Sequence, residues 1–364
     1  MQSSFTPEDF LVENILKNLY QTWQQAKAAL SVGHKNLSTE LRRTFFPSPE
    51  NKFKPLSPEI WAVLQKRFNE IISEDWQDAK EGIYPYSVLF EADLPSLIET
   101  YFKLWLDQPS SWQRMQRDEF QEFPPNIDLE KYPQYYRRNF HYQSDGYLSD
   151  KSAEIYDLQV ELLFNGVADA MRRRILKPLK SRLSTFEQHS DLKILDVACG
   201  TGKTLKGLRT AFPSASLYGI DLSSAYLRKA NELLSKLPEE LPQLLEGKGE
   251  ALPYQDNYFQ GISNVFLFHE LPKPIRQKVI DESYRVLQPG GVMVICDSIQ
   301  LSDSPELEAV IDNFHTAFHE PFYADYIRDD MESHLHQAGF EIQEVKVCAF
   351  SKYWVATKPM AKAQ

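Results

Sequence analysis

Apolar residues recur three and four positions apart through the first third of the chain. Phe10, Leu11, Ile15, Leu16, Leu19, Trp23 and Leu30 follow Thr6-Pro7-Glu8-Asp9, which supplies a cap, a proline at the first helical position and two acids, so a helix is predicted there. Ser57-Pro58-Glu59 repeats that start signal before Ile60, Leu64, Phe68, Ile71 and Ile72, and residues 94 to 106 carry the same spacing. Trp23, Trp61, Trp76, Trp105 and Trp112 all fall in this region, where core packing is their expected role. Phe123-Pro124-Pro125-Asn126 breaks the pattern and a tyrosine-rich stretch, Tyr132 to Tyr147, follows. Ser149-Asp150 then opens a helix expected to run through Ile155, Leu158, Leu162 and Val167 toward Leu176 and to close at Pro178.

Beyond about residue 190 short β-branched runs alternate with helical stretches, as in a parallel sheet wound by helices. Strands are predicted at 193–197, 216–220, 243–246, 261–266 and 292–296, and two more near 342–349 and 352–357. The last two lie too close together for a crossover helix and must pair antiparallel. The expected fold is therefore α/β, a Rossmann-like doubly wound sheet preceded by a mainly helical region. Its parts are 1–140 as an accessory or cap domain, 141–185 as lid and linker helices, and 186–364 as the sheet domain.

Composition narrows the chemistry. Of 364 residues, 42% are hydrophobic, enough for real cores, and 51 acids against 40 bases leave a net charge of −11. That field opposes nucleic acid, so no nucleic-acid partner is expected. Arg172-Arg173-Arg174, flanked by apolar residues, reads as a solvated helix face. The three cysteines, Cys199, Cys296 and Cys348, are odd in number and widely spaced, which suits a reducing, cytoplasmic setting. No window of apolar residues is long enough to span a bilayer. No CxxC or HExxH pattern occurs, so no metal site is expected.

Leu195-Asp196-Val197-Ala198-Cys199-Gly200-Thr201-Gly202 is the most informative stretch: a strand ends on an acid and a small-residue loop lets the backbone approach a ligand closely. A nucleoside triphosphate would need a P-loop glycine where Val197 stands, and a dinucleotide would want a third glycine where Leu205 stands. S-adenosylmethionine carries a sulfonium and an ammonium but no phosphate, and cations favour an acid such as Asp196 beside them. Asp221, ending the next strand in Gly219-Ile220-Asp221, is placed to accept hydrogen bonds from both ribose hydroxyls.

In the order and spacing of Asp196 to Gly202, Gly219-Ile220-Asp221, Glu250-Ala251-Leu252-Pro253 and Arg285-Val286-Leu287-Gln288-Pro289-Gly290-Gly291, the chain resembles class I S-adenosylmethionine-dependent methyltransferases, in particular the small-molecule group that includes the quinone C-methyltransferases. The resemblance covers about residues 150 to 358. It implies a seven-stranded sheet whose last strand is antiparallel, S-adenosyl-L-methionine as cofactor, and contacts to it from Asp196, Ala198, Gly200, Thr201, Gly202, Asp221, Leu222, Gly249, Glu250 and Asn264. Relatives usually place an aspartate two residues before the Glu250 position; here Lys248 stands there, which leaves the adenine contact to Glu250 or to backbone.

Methyl transfer from a sulfonium is an in-line displacement, so positioning supplies much of the rate and a base is needed only for acceptors that do not arrive ionised. His269, directly after the fourth strand, is the candidate catalytic base, the alternative being that it anchors its loop or starts the next helix. Tyr142, Tyr147, His315, His319 and Tyr323 are candidates for the acceptor pocket, with Tyr156, Glu320 and Tyr326 nearby in sequence; core packing and a solvated helix face are the competing roles. The expected function is transfer of a methyl group to oxygen or carbon of a small, aromatic or lipid-like acceptor. The alternatives are a protein or RNA methyltransferase that holds its polymer with the N-terminal region, and a non-catalytic S-adenosylmethionine-binding protein.

Overall fold

A computed structural model describes residues 7–47, 57–91, 93–184, 186 and 192–360, so Thr6 of the first predicted cap lies outside the described residues. Three long helices open the chain: α1 (Pro7–Phe45), α2 (Pro58–Lys80) and α3 (Leu94–Arg117). The Ser57 hydroxyl accepts from the Ile60 amide, and the Asp93 carboxylate from Ser96, so each of the last two starts on a side-chain cap. A segment of short 3₁₀ turns leads to α4 (Asp150–Leu163), capped by Ser149.

The helix expected to continue past residue 163 instead stops, because Asn165 and Gly166 both take positive φ, 53° and 82°. Two short helices follow, α5 (Ala168–Arg173) and α6 (Leu176–Leu183). Pro178 therefore sits in the first turn of α6, where a missing amide hydrogen costs nothing, rather than ending a helix.

The sheet portion then alternates β1 (Lys193–Val197), α7 (Lys203–Ala211), β2 (Ser216–Asp221), α8 (Ser224–Leu234), β3 (Gln243–Glu246), β4 (Phe259–Val265), α9 (Lys273–Val286) and β5 (Leu287–Ser298). After α10 (Glu308–Phe318), α11 (Tyr323–Tyr326) and α12 (Met331–Ala338) it closes with β6 (Glu341–Cys348) and β7 (Ser351–Thr357). Strand order is β3-β2-β1-β4-β5-β7-β6, with β7 antiparallel to both of its neighbours. This is the seven-stranded arrangement expected, and all seven predicted strands are present.

Alternation along the strands feeds two cores. Ile194, Val292, Val294 and Cys296 face one layer; Leu195, Val197, Met293 and Ile295 face the other. The first layer is shared with Tyr20, Phe68, Ile71 and Trp76 of α1 and α2, so the core runs on across the expected boundary at residue 140.

Two readings of the N-terminal helices change. Leu11, Ile15, Leu19 and Leu30 are about half exposed or more, at 61, 50, 54 and 48%, while Tyr20, Gln24 and Ser31 face inward. Arg172, Arg173 and Arg174 are not a solvated face either. Arg173 grips the fully buried Asp75 of α2 with Nε at 2.9 Å and Nη2 at 2.6 Å, and Arg174 pairs with Asp78 and Glu74. Tyr84 adds a hydrogen bond to Asp75 at 2.7 Å, and Tyr20 adds another. A buried carboxylate demanded cations, and the arginine run answers that demand.

Candidate functional site

The carboxyl ends of β1 and β4 lie where the strand order reverses, and a cleft opens there, as sheets of this type provide. Ala198 leaves β1 with φ 59°, and Phe266 leaves β4 with φ 57°, left-handed values that non-glycine residues hold only where the surroundings enforce them. Both line the cleft, together with Gly200, Asp221, Glu250 and Glu270. Tyr135, Tyr136, Tyr147, Tyr156 and Tyr226 supply its aromatic surface.

Asp221 organises the loop. One carboxylate oxygen accepts the Gly200 amide and the other the Ser223 amide, each at 2.8 Å. Burial pushes its carboxyl up to about 6 despite these two bonds. Gly202, at φ 82°, starts α7, and a Cβ there would stand 3.0 Å from the Ala230 methyl, so the turn demands glycine.

Of the ten cofactor residues expected, Ala198, Gly200, Asp221, Leu222, Gly249 and Glu250 line the cleft. Asp196, Thr201, Gly202 and Asn264 do not. The Thr201 hydroxyl instead bonds Asp157 at 2.7 Å and ties the loop to α4. Asp196 accepts from Ser263 at 2.6 Å, leaving its Oδ2 buried and unpartnered, and burial with the nearby Asp221 pushes its carboxyl up to about 7. Both amide atoms of the fully buried Asn264 also lack a partner among the described residues. Unsatisfied polar atoms at adjacent strand tips fit a ligand with a polar, cationic end. The lining contains three carboxylates and no lysine, arginine or histidine, which suits a cationic donor and not a phosphate. The Glu250 carboxylate, two residues after Lys248, takes a hydrogen bond from Tyr135 at 2.8 Å.

Tyr156, Phe266 and Glu270 also line a second cavity of about 390 Å³, walled by Val160, Leu163, Phe164, Ile311, Phe314 and Phe350. Its polar lining consists of His141, His269, Glu270, Ser298 and Tyr323, and of Lys35 with Asn165. A third chamber continues from it past Lys35, His141 and Phe318 to α1 and α3, reaching Arg42 and Trp112.

His269 is held by Asp297, a fully buried carboxylate that stands 2.6 Å from Nδ1 and also accepts the amides of Leu267, Phe268 and Ser298. Burial pulls the imidazole down, but Asp297, helped by Glu320 and Glu270, carries it up to about 9. At neutral pH it therefore already holds a proton. Glu270 accepts from the Tyr147 hydroxyl at 2.6 Å, and burial together with Glu320 pushes its carboxyl up.

The other pocket candidates divide. Tyr147 faces the donor cleft and Tyr323 the second cavity. Tyr142 is buried with its hydroxyl on Asp118 and lines neither. His319 stacks on Phe120 at 4.3 Å, and burial with Arg138 lowers its imidazole to about 4. His315 lies on α10, and its side chain is outside the described residues.

Sequence reasoning missed Glu270, His141 and Phe266. Glu270 is the residue after His269, and His141 lies in the tyrosine-rich run, but no spacing rule joins them. The fold brings His141, Glu270 and Glu320 together, with ligand-type atoms within 4.8 Å of one another.

Residues 194–291 match the family model described as a methyltransferase domain. A demethylmenaquinone methyltransferase of Desulfitobacterium hafniense is 30% identical over 166 residues, 43% of this chain and 65% of its own length. A ubiquinone/menaquinone biosynthesis C-methyltransferase of Methylobacterium nodulans is 28% identical over 164 residues, 44% of this chain and 62% of its own length. A carboxy-S-adenosyl-L-methionine synthase of Chromohalobacter salexigens is 26% identical over 166 residues, 40% of this chain and 61% of its own. The chain thus spans less than two thirds of each of these relatives. With the strand order, the acid-lined cleft and the glycine turn after β1, these likenesses make the sheet portion of the chain similar to the S-adenosylmethionine-dependent methyltransferase domain of the quinone C-methyltransferases.

Proposed function

We propose that the protein transfers a methyl group from S-adenosylmethionine to oxygen or carbon of a small acceptor that combines a flat ring with an apolar body or tail. The observation that carries this reading is the shared wall of Tyr156, Phe266 and Glu270, which sets an apolar cavity directly beside the donor cleft. A cavity of about 390 Å³ with mainly aliphatic and aromatic walls and a few polar groups suits such a molecule. The adjoining chamber offers room for a tail. Two matching relatives are named for methylation of demethylmenaquinone and for ubiquinone/menaquinone biosynthesis, which agrees with an acceptor of this shape.

The bound donor supplies an electrophilic methyl on a positively charged sulfur. Asp221 is the residue to accept the ribose hydroxyls, and Glu250 with Tyr135 to flank the base. Tyrosine faces beside the sulfonium favour its charge, at about 0.5–2 kcal/mol for each well-placed ring. His269, its Nδ1 side fixed by Asp297, turns toward the cavity, where its N–H can steady an acceptor oxygen that carries negative charge. As a base it would first have to lose the proton that Asp297 helps it keep.

The test incubates purified protein with methyl-labelled donor and a lipid extract or a panel of phenols and quinols. Label recovered in a small apolar product, with release of S-adenosylhomocysteine, is the expected result. Label confined to protein or RNA, or donor binding with no transfer to any fraction, would overturn it.

A further inference from the structure

We propose that His141, Glu270 and Glu320 bind a divalent transition-metal cation of the zinc or manganese type at the wall of the acceptor cavity. The three side chains come from the turn before α4, the β4–α9 loop and the α10–α11 loop. Their ligand-type atoms lie within 4.8 Å of one another. Ligands bonded to such an ion at about 2.1 Å stand roughly 3–4 Å apart, a spacing small side-chain shifts would reach here.

An independent observation points to a ligand. Glu320 is 0% exposed, and neither of its oxygens has a hydrogen-bond partner among the described residues. The His141 Nε2 is 2.9 Å from Glu320 Oε1, close enough for an ion pair. A carboxylate withdrawn from water is costly unless cations complete it, and the one imidazole beside Oε1 leaves Glu320 Oε2 with no partner among the described residues.

The donor set selects the class of ion. One imidazole and two carboxylates suit zinc, manganese or iron in the divalent state, and two carboxylates balance the charge. The Tyr147 hydroxyl, 2.6 Å from Glu270 Oε1, orients that carboxylate as outer-shell donors commonly do. Because His141 and Glu270 both line the cavity, the coordination positions that three protein ligands leave open face the acceptor. An oxygen of the acceptor would be held there, beside the wall shared with the donor cleft. That role rests on the proposed methyl transfer; the binding of the ion does not.

Chelator-stripped full-length protein is titrated with Mn(II), followed by electron paramagnetic resonance of the remaining aqueous ion, and with Zn(II) by calorimetry. One equivalent is expected to bind. Outer-shell changes weaken metal sites about 10–100-fold, so losing a ligand in Glu320→Gln or His141→Ala should cost at least about 100-fold. His336→Ala, at an exposed histidine on α12, should leave binding unchanged. S-adenosylmethionine binding and circular dichroism report whether each variant is folded. No stoichiometric binding by the parent protein, or full binding by folded variants of both ligands, overturns the site. Metal binding without donor binding would keep the site and overturn the function proposed above; donor binding without metal binding does the reverse.

Discussion

Asp221→Asn isolates the charge that organises the donor cleft. In the parent protein each carboxylate oxygen accepts a backbone amide at 2.8 Å, from Gly200 and from Ser223. An asparagine keeps one accepting oxygen and turns an NH₂ toward the other amide, so one bond becomes a donor facing a donor, and the acceptor sites offered to ribose lose their charge. Hydrogen bonds to a charged group contribute about 1.5–3 kcal/mol, so donor affinity at pH 7.5 should fall roughly 10- to 100-fold. The pH dependence sharpens the test. Burial sets the Asp221 carboxyl at about 6. Below that value the cleft must expel a proton to regain its carboxylate. Affinity is full above about pH 7 and falls on acidification, by about tenfold at pH 5 for a group of this pKa. The same shift works against stability. An unfolded aspartate ionises near 3.8, so the cost of burying the charge appears as pH rises from there through about 6. Calorimetric titration with S-adenosylmethionine from pH 5 to 8 reads the binding terms. Equal affinity of parent and variant at pH 7.5, or a parent affinity that ignores pH, would refute the assignment of this carboxylate to the donor.

Three further outcomes follow from the same structure. His269→Ala should slow methyl transfer by about 10²–10³ while leaving donor affinity unchanged, since His269 faces the second cavity and is not part of the lining of the first cleft; steady-state kinetics with a turned-over acceptor check it. Arg173→Met leaves Asp75 buried without its cation and should cost about 3–5 kcal/mol in urea unfolding. The Asp75 carboxyl is held below its ordinary range, with Arg173 and the two tyrosine hydroxyls overcoming the penalty of burial. Its stabilisation is therefore complete above about pH 4 and lost as pH falls through the lowered value, a slope the Arg173 variant should lack. Gly219→Ala brings a Cβ to 2.7 Å from Leu205 Cδ1 and 2.9 Å from Cys199 Sγ, so it should lower thermal stability by about 1–3 kcal/mol.

Much of this protein is legible without its coordinates. The seven strands, the antiparallel closing hairpin, the proline-led helix starts and the acid-and-glycine loop after β1 all rest on neighbours within a few residues. Backbone geometry and side-chain alternation act at that range, so spacing alone carries them. The helix break at Asn165-Gly166 was equally local and was available as a turn signal, but the apolar run across it hid it.

What tertiary structure decided has a different physical origin. The outward stripe of α1 and the inward Tyr20 have similar spacing in the sequence; which face is buried depends on where α2 and the sheet lie. Arg172 to Arg174 read as a surface run until Asp75, Asp78 and Glu74 of another helix meet Arg173 and Arg174. His141, Glu270 and Glu320 stand on three loops far apart in the chain, and only the packing of those loops gathers one imidazole and two carboxylates beside a mainly apolar cavity. Local patterns are set by the chain's own covalent geometry, whereas burial and charge pairing are set by whichever distant segment arrives, and that is fixed only when the whole core closes.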